Sequence, residues 1–188
     1  VYYLYVRSYF PEREQNDEVK KATIYYLEQC QKFWLDKGIY VEGLISLVLN
    51  RFGNQEKAKS ILLSLEERSV FNEELGRYWK TGYGFDWFEL PIETQSLMVE
   101  AFNEIRKNDP VIGQMKIWLI KNKQTNIWRT PKSSVAAIHA LLQGSEKLLT
   151  ENQLAEVKLD DKSISSKINQ EDIQAGTGYF KVSWDGRD

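Results

Sequence analysis

Residues 77–95, RYWKTGYGFDWFELPIETQ, bring six aromatic rings, two glycines and three carboxylates into nineteen positions. Aromatic faces that stack on sugar rings, beside two carboxylates acting as general acid and base, are the working parts of a glycoside hydrolase cleft. Asp86, Glu89 and Glu93 are the acids available for that chemistry, set among Tyr78, Trp79, Tyr83, Phe85, Trp87 and Phe88. The same segment has a plainer use as packing. Glu93 falls in the first turn of a helix, where a carboxylate meets the positive end of the helix dipole, and nothing in the sequence fixes a separation between carboxylates. Packing is therefore the expectation. The rings hold down a long connection, each burying roughly 150–250 Å², and truncating Trp87 to Ala is expected to cost roughly 3 kcal/mol or more. Gly82 and Gly84 flank Tyr83, but no strand precedes them and no Lys-Ser/Thr follows, so they form no phosphate loop.

His139, the one histidine, shares the apolar side of a helix with Ala136 and Leu142. That setting suits a hydrogen-bonded core or boundary histidine better than a general base. Cys30, the one cysteine, sits within an apolar helical stripe, without the electropositive, partly exposed surroundings that generate a thiolate. One Cys and one His make neither an internal disulfide nor a zinc site. Nucleophile elbows, paired-His metal motifs and aspartate-rich diphosphate motifs are missing. No catalytic, cofactor-binding or metal-binding residue is assigned, and no cofactor is expected.

The 188-residue chain is 42% hydrophobic, enough for one core that buries roughly 70% of the unfolded surface. Its 25 basic and 27 acidic residues give a net charge of -2 and interleave along the chain, so nothing points to nucleic acid or an anionic membrane. No apolar run approaches the roughly 20 residues that cross a bilayer. The opening VYYLYVRSYF lacks Met and starts within an apolar segment, as in a piece cut from a longer protein.

Helical periodicity dominates residues 1–150. Helices are expected near residues 1–10 and 17–36, the second capped by Asn16, with Asp17 and Glu18 in its first turn. Its stripe is Val19, Ala22, Tyr26, Leu27, Cys30, Phe33 and Trp34, and Gly38 ends it. A helix from Tyr40 carries Val41, Leu44, Ile45, Val48, Leu49 and Phe52, stops at Gly53, and is followed at once by one carrying Ala58, Ile61, Leu62 and Leu65. So short a link requires an antiparallel hairpin.

The plan returns with Leu97, Met98, Ala101, Phe102 and Ile105, then, after the Asp109 cap and Pro110, with Ile112, Met115, Trp118 and Leu119. Leu44 matches Leu97, Leu49 matches Phe102 and Ile61 matches Met115 at spacings of 53 to 54, a two-helix repeat of about 50 residues. A seventh helix begins at Thr130 with Pro131 and carries Val135, Ala136, Ile138, His139 and Leu142. Beyond Leu149 the period changes to two in AEVKLDD and GYFKVSWDG. Val157 and Leu159, then Phe180, Val182 and Trp184, fall on single strand faces. The chain thus reads as mainly α over residues 1–150, with a β-strand tail over 151–188 that is either a piece of a second domain or a sheet laid against the helices.

PIETQSLMVEAFNEI, Pro91–Ile105, and MKIWLIKNKQTNIWRTPKSSVAAIHALL, Met115–Leu142, resemble the helical thioester-type domain of bacterial alpha-2-macroglobulins, particularly the large Bacteroidetes-type form. Tyr78, Trp79 and YGFDWFELP resemble that family's aromatic approach to the PIETQ helix, and AGTGYFKVSW, Ala175–Trp184, its exit into a β-domain. The resemblance covers roughly residues 40–188.

It implies an α/α toroid-like array of antiparallel helical hairpins without catalytic activity, within a secreted, periplasmic or envelope-anchored protein that traps or inhibits proteases. The implied partners are target proteases, met through the full-length parent, and neighbouring macroglobulin domains, with no nucleic acid and no membrane contact by this segment. Thioester-bearing members join a Cys to a Gln three residues later. Here Phe33 stands three places after Cys30, and the Glu28–Cys30 sequence EQC has the order reversed. No thioester carries over, and trapping would be conformational or steric. The alternative is a toroidal carbohydrate-active enzyme or glycan-binding module using residues 77–95.

Overall fold

The structure, a computed structural model, describes residues 1–13, 16–80, 91–125, 128 and 130–144, together with short strands at 158–159, 162–163, 173–174 and 179–180. The chain divides into two units, Val1–Gly144 and Ser145–Asp188. The first is mainly helical.

Side-chain caps set where several of its helices begin. After α1 (Tyr2–Arg7), Asn16 accepts from the amide of Val19 at 2.8 Å and opens α2 (Asp17–Phe33), which tightens into a 3-10 turn over Trp34–Asp36. Gly38 is extended, with φ -71° and ψ 159°, and is the N-cap of α3 (Ile39–Arg51) rather than the left-handed terminator expected of it. Gly53 does take that role, at φ +91°, a conformation L side chains resist. Asn54 then caps α4 (Gln55–Glu67) through the Lys57 amide. α5 spans Pro91–Ile105 and α6 spans Pro110–Thr125, where Asp109 Oδ1 accepts from the Val111 amide at 2.9 Å. Thr130 caps α7 (Pro131–Leu142) through the Ser133 amide at 3.0 Å.

The short links after α3 and α5 turn the chain back, so α4 lies along α3 and α6 along α5. α1, α3, α5 and α7 neighbour one another in that order, and α2, α4 and α6 lie against them. Leu44, Leu49, Ile61, Leu65, Met98, Phe102, Met115 and Leu119 are all fully buried, so the core sits on the positions that the 53-to-54-residue spacing relates. α5 is buried on every side from Ile92 to Phe102. Its centre therefore cannot rely on an amphipathic pattern, and each polar residue there needs a partner inside the protein.

Two helices turn differently from expectation. α2 buries Thr23, Cys30 and the adjoining Trp34, and leaves Ala22, Tyr26 and Phe33 exposed along with Ile24 and Tyr25. α7 buries Ser133, Ala137 and Ala140, while Val135, Ile138, His139 and Leu142 face outward. Within both helices the buried side chains are small or short, and larger apolar side chains remain outside the contact.

Between α4 and α5 lies a hairpin that sequence reading missed, β1 (Val70–Asn72) with β2 (Gly76–Tyr78), paired Val70 to Tyr78. Asn72 Oδ1 accepts the amides of Glu74 and Leu75, each at 2.9 Å, and Gly76 at φ +81° completes the turn. β2 lies on α6, where the Tyr78 and Trp118 rings stack with centroids 5.8 Å apart. In the second unit, β3 (Lys158–Leu159) pairs antiparallel with β4 (Lys162–Ser163), and β5 (Ile173–Gln174) with β6 (Tyr179–Phe180). Leu159 and Phe180 fall within these strands; Val157, Val182 and Trp184 lie outside the described residues.

Candidate functional site

The first turn of α5 uses its polar residues to tie elements together. Gln95 is buried, and its Nε2 donates to the carbonyl of Arg77 in β2 at 2.8 Å and to that of Met115 in α6 at 3.1 Å. One side chain thereby ties α5 to the backbone of both β2 and α6. Glu93, only 3% exposed, accepts from Ser133 Oγ at 2.9 Å. Ser133 in turn shares a 2.7 Å contact with the hydroxyl of the α7 cap, Thr130. A carboxylate thus stands buried at the N-terminal turn of α7, where the helix dipole favours negative charge.

Farther along the same face of α5, Glu100 and Glu104 meet Arg51 from the last turn of α3. Arg51 Nη2 lies 2.7 Å from each carboxylate, its Nε donates to Glu104 at 3.0 Å, and its Nη1 donates to Ser8 Oγ at 3.2 Å. The guanidinium also sits over the rings of Tyr9 and Tyr5, at 4.4 and 5.2 Å. Tyr5 and Tyr9 donate to Glu100 at 2.9 and 2.8 Å, so α1, α3 and α5 meet at this seam. Burial works against the Arg51 cation, yet its hydrogen bonds with Glu104, Tyr9 and Glu100 raise its pKa overall. Burial, supported by the bond with Tyr9 and the Glu100 charge, holds the Tyr5 hydroxyl far above the usual tyrosine range.

Two adjoining hollows open along this face of α5, sharing Glu100 and His139. The larger, about 380 Å³, lies beside Arg51 and Glu104. The smaller, about 140 Å³, has Glu93, Ser96, Leu97 and Glu100 on its α5 side and Lys132, Ala136 and His139 on its α7 side, with Tyr5 and Tyr40 completing it. Tyr40 is half-buried; burial raises its pKa, with contributions from Tyr2 and from the charges of Glu93 and Glu100. Both carboxylates therefore act on the Tyr40 hydroxyl.

His139 is exposed and lines both hollows, its Nδ1 3.4 Å from Gln143 Nε2. It lies on the groove side of α7, not in the core. Cys30 is buried, and burial pushes its thiol upward. Glu93 is the member of the candidate acid set that the structure places. Asp86, Glu89, Gly82, Gly84, Tyr83, Phe85, Trp87 and Phe88 lie outside the described residues. Trp79 is buried against Phe102, its Nε1 donating to Leu65 at 2.7 Å.

Sequence reasoning missed Arg51, Gln95, Glu100 and Glu104. A signal existed: Glu93, Ser96, Glu100 and Glu104 recur at helical spacing on one side of α5. Such a stripe ordinarily marks a solvated face, and only α1, α3 and α7 closing over it make it a seam. Among the described residues no three His, Cys, Asp or Glu side chains gather to hold a metal ion. No helix there is long and apolar enough to cross a membrane. Comparison of the chain with family models, with curated proteins and with solved structures returned no match.

Proposed function

We propose that this chain is a non-catalytic structural segment of an alpha-2-macroglobulin-like protein, its helical unit part of an α/α toroid. Any role in restraining proteases is then conformational or steric, exercised through the full-length parent at the periplasm, envelope or cell exterior.

The use made of PIETQ carries this reading. Glu93 and Gln95, the polar residues that give the segment its character, join α5 to α7, to β2 and to α6. The paired hairpins α3/α4 and α5/α6, with α1, α3, α5 and α7 side by side, support a curved two-layer array. Ile24, Tyr25, Tyr26 and Leu35 on and beside α2 are all more than half exposed, in keeping with contact to neighbouring domains. Cys30, buried and followed by Phe33 at the third place, supports a role without a thioester.

The test uses the full-length parent with a panel of proteases. A steric trap leaves hydrolysis of a small peptide substrate intact, suppresses hydrolysis of a large protein substrate, and forms no adduct that survives denaturing electrophoresis. A covalent adduct, or equal loss of both activities, contradicts it. Release of sugars from a polysaccharide panel by the purified chain, abolished by Glu93→Gln, would establish the carbohydrate alternative instead.

A further inference from the structure

The row α1, α3, α5, α7 ends on both sides in an apolar stripe. Inside the row each helix has a neighbour on either side: α3 meets α1 and α5, and α5 meets α3 and α7. α1 buries Leu4. Its opposite side carries Tyr3, Val6 and, just past the helix, Phe10, at i, i+3 and i+7, each 56–59% exposed. α7 buries Ser133, Ala137 and Ala140. Its opposite side carries Val135, Ile138 and Leu142, again at i, i+3 and i+7, each 45–67% exposed.

Tyr5 and Tyr9 on α1, and Lys132, Ala136 and His139 on α7, line the two hollows. In both helices these residues fall between the buried side and the stripe. Passing from buried side through hollow to stripe runs round α1 and α7 in opposite senses at 3.6 residues per turn, as it must when two helices run the same way at opposite ends of one row. An α7 stripe set against the α1 stripe of another molecule thus continues the row with its hollows on one side.

We propose that the two stripes are the halves of a head-to-tail contact between copies of this chain, α7 of one copy packing on α1 of the next. Continuity argues for a second copy as occupant. The order α1, α3, α5, α7 already repeats one kind of helix-on-helix contact, and in an array of this type each end surface is shaped to continue the stack. A two-fold contact of α7 with α7 would leave the α1 stripe in water, whereas the head-to-tail contact covers both. Neither stripe carries a charge, so association persists at high salt. At about 100 Å² for each half-exposed side chain, the stripes together offer roughly 600 Å², below the roughly 1,200–2,000 Å² of a stable interface. Association is accordingly weak, with a Kd of about 0.1–1 mM. The contact is independent of the proposed macroglobulin role, because it rests on the helix row alone.

The test is sedimentation velocity of the full chain from dilute to near-millimolar concentration. The native chain is expected to grow past a dimer as concentration rises, since each added copy presents a fresh stripe. Val6→Glu with Phe10→Glu blocks the α1 stripe, and Val135→Glu with Ile138→Glu blocks the α7 stripe. All four positions are exposed, and unchanged helical dichroism checks that the fold is kept. Each doubly substituted chain alone associates about tenfold or more weakly. Mixed in equal amounts they form a 1:1 heterodimer and nothing larger, because the mixture retains one intact α7 stripe and one intact α1 stripe. Val6→Ala with Phe10→Ala only trims the stripe and keeps the test decisive if the glutamates disturb α1.

A native chain that stays monomeric throughout overturns the proposal and leaves the stripes to a different partner. So does a variant blocked on one stripe that still self-associates at native strength, which would reveal a two-fold contact through the other, or association that high salt abolishes.

Discussion

The indole Nε1 of Trp79 donates to the carbonyl oxygen of Leu65 at 2.7 Å, and both groups are buried. Leu65 belongs to the last turn of α4, whose final carbonyls have no partner within the helix. Trp79→Phe keeps a ring against Phe102 but strands that carbonyl, and is expected to cost about 1–3 kcal/mol. Trp79→Ala also empties the ring's volume, raising the loss to about 3–5 kcal/mol. Urea denaturation midpoints check both; equal losses for Phe and Ala would show that the hydrogen bond, not the ring, dominates.

Gly76 admits no side chain. At φ +81° a Cβ would lie 2.2 Å from the carbonyl oxygen of Gln114, a backbone atom of α6. Gly76→Ala is therefore expected to lift β2 from α6 and to destabilise by more than about 2 kcal/mol. Loss of the Tyr78–Trp118 stack would appear in near-ultraviolet dichroism before any fall in helix content. Gly53, equally left-handed but with open space around it, provides the milder control.

Arg51 bridges two carboxylates, Glu100 and Glu104, its side chain 14% exposed and that of Glu100 11%. Arg51→Met preserves much of the volume and leaves Glu100 and Glu104 without their cation. Breaking a buried pair from one side costs about 3–5 kcal/mol. Thermal melts should show Arg51→Met combined with Glu100→Gln to be less damaging than the sum of the separate changes; strict additivity would deny the coupling.

Tyr5 and Tyr40 keep their protons in the folded chain to higher pH than ordinary tyrosines, chiefly because burial disfavours the phenolate. In the unfolded chain they ionise near pH 10. Their contribution to stability is thus fully present below about pH 10 and declines as pH rises beyond it, where the unfolded state has released protons the folded state retains. The melting temperature is expected to fall more steeply above about pH 10 for the native sequence than for Tyr40→Phe, which lacks one of the two ionisable hydroxyls. Parallel slopes would remove Tyr40 from this account.

Helical periodicity, with caps such as Asn16, Asp109 and Thr130, located most of the helices from residue types alone, because both signals are local. The repeat at 53 to 54 residues likewise paired Leu49 with Phe102, and both are core. The β1–β2 hairpin escaped because its three-residue strands are shorter than the run that makes alternation visible, although Asn72 and Gly76 marked its turn.

The faces of α2 and α7 were a tertiary decision. Each helix carries more apolar surface than one contact can cover, so periodicity offers two stripes, and only the neighbour's shape selects Thr23 over Tyr26 or Ala137 over Ile138. The seam on α5 is a stronger case of the same physics. A run of Glu93, Ser96, Glu100 and Glu104 has one meaning in water and another once α1, α3 and α7 close over it, because desolvation makes Arg51, Ser133 and the tyrosine hydroxyls necessary. Sequence determined the helices and their repeat, which depend on near neighbours along the chain. Tertiary structure decided which polar groups became ties, since these depend on residues 18 to 95 positions away.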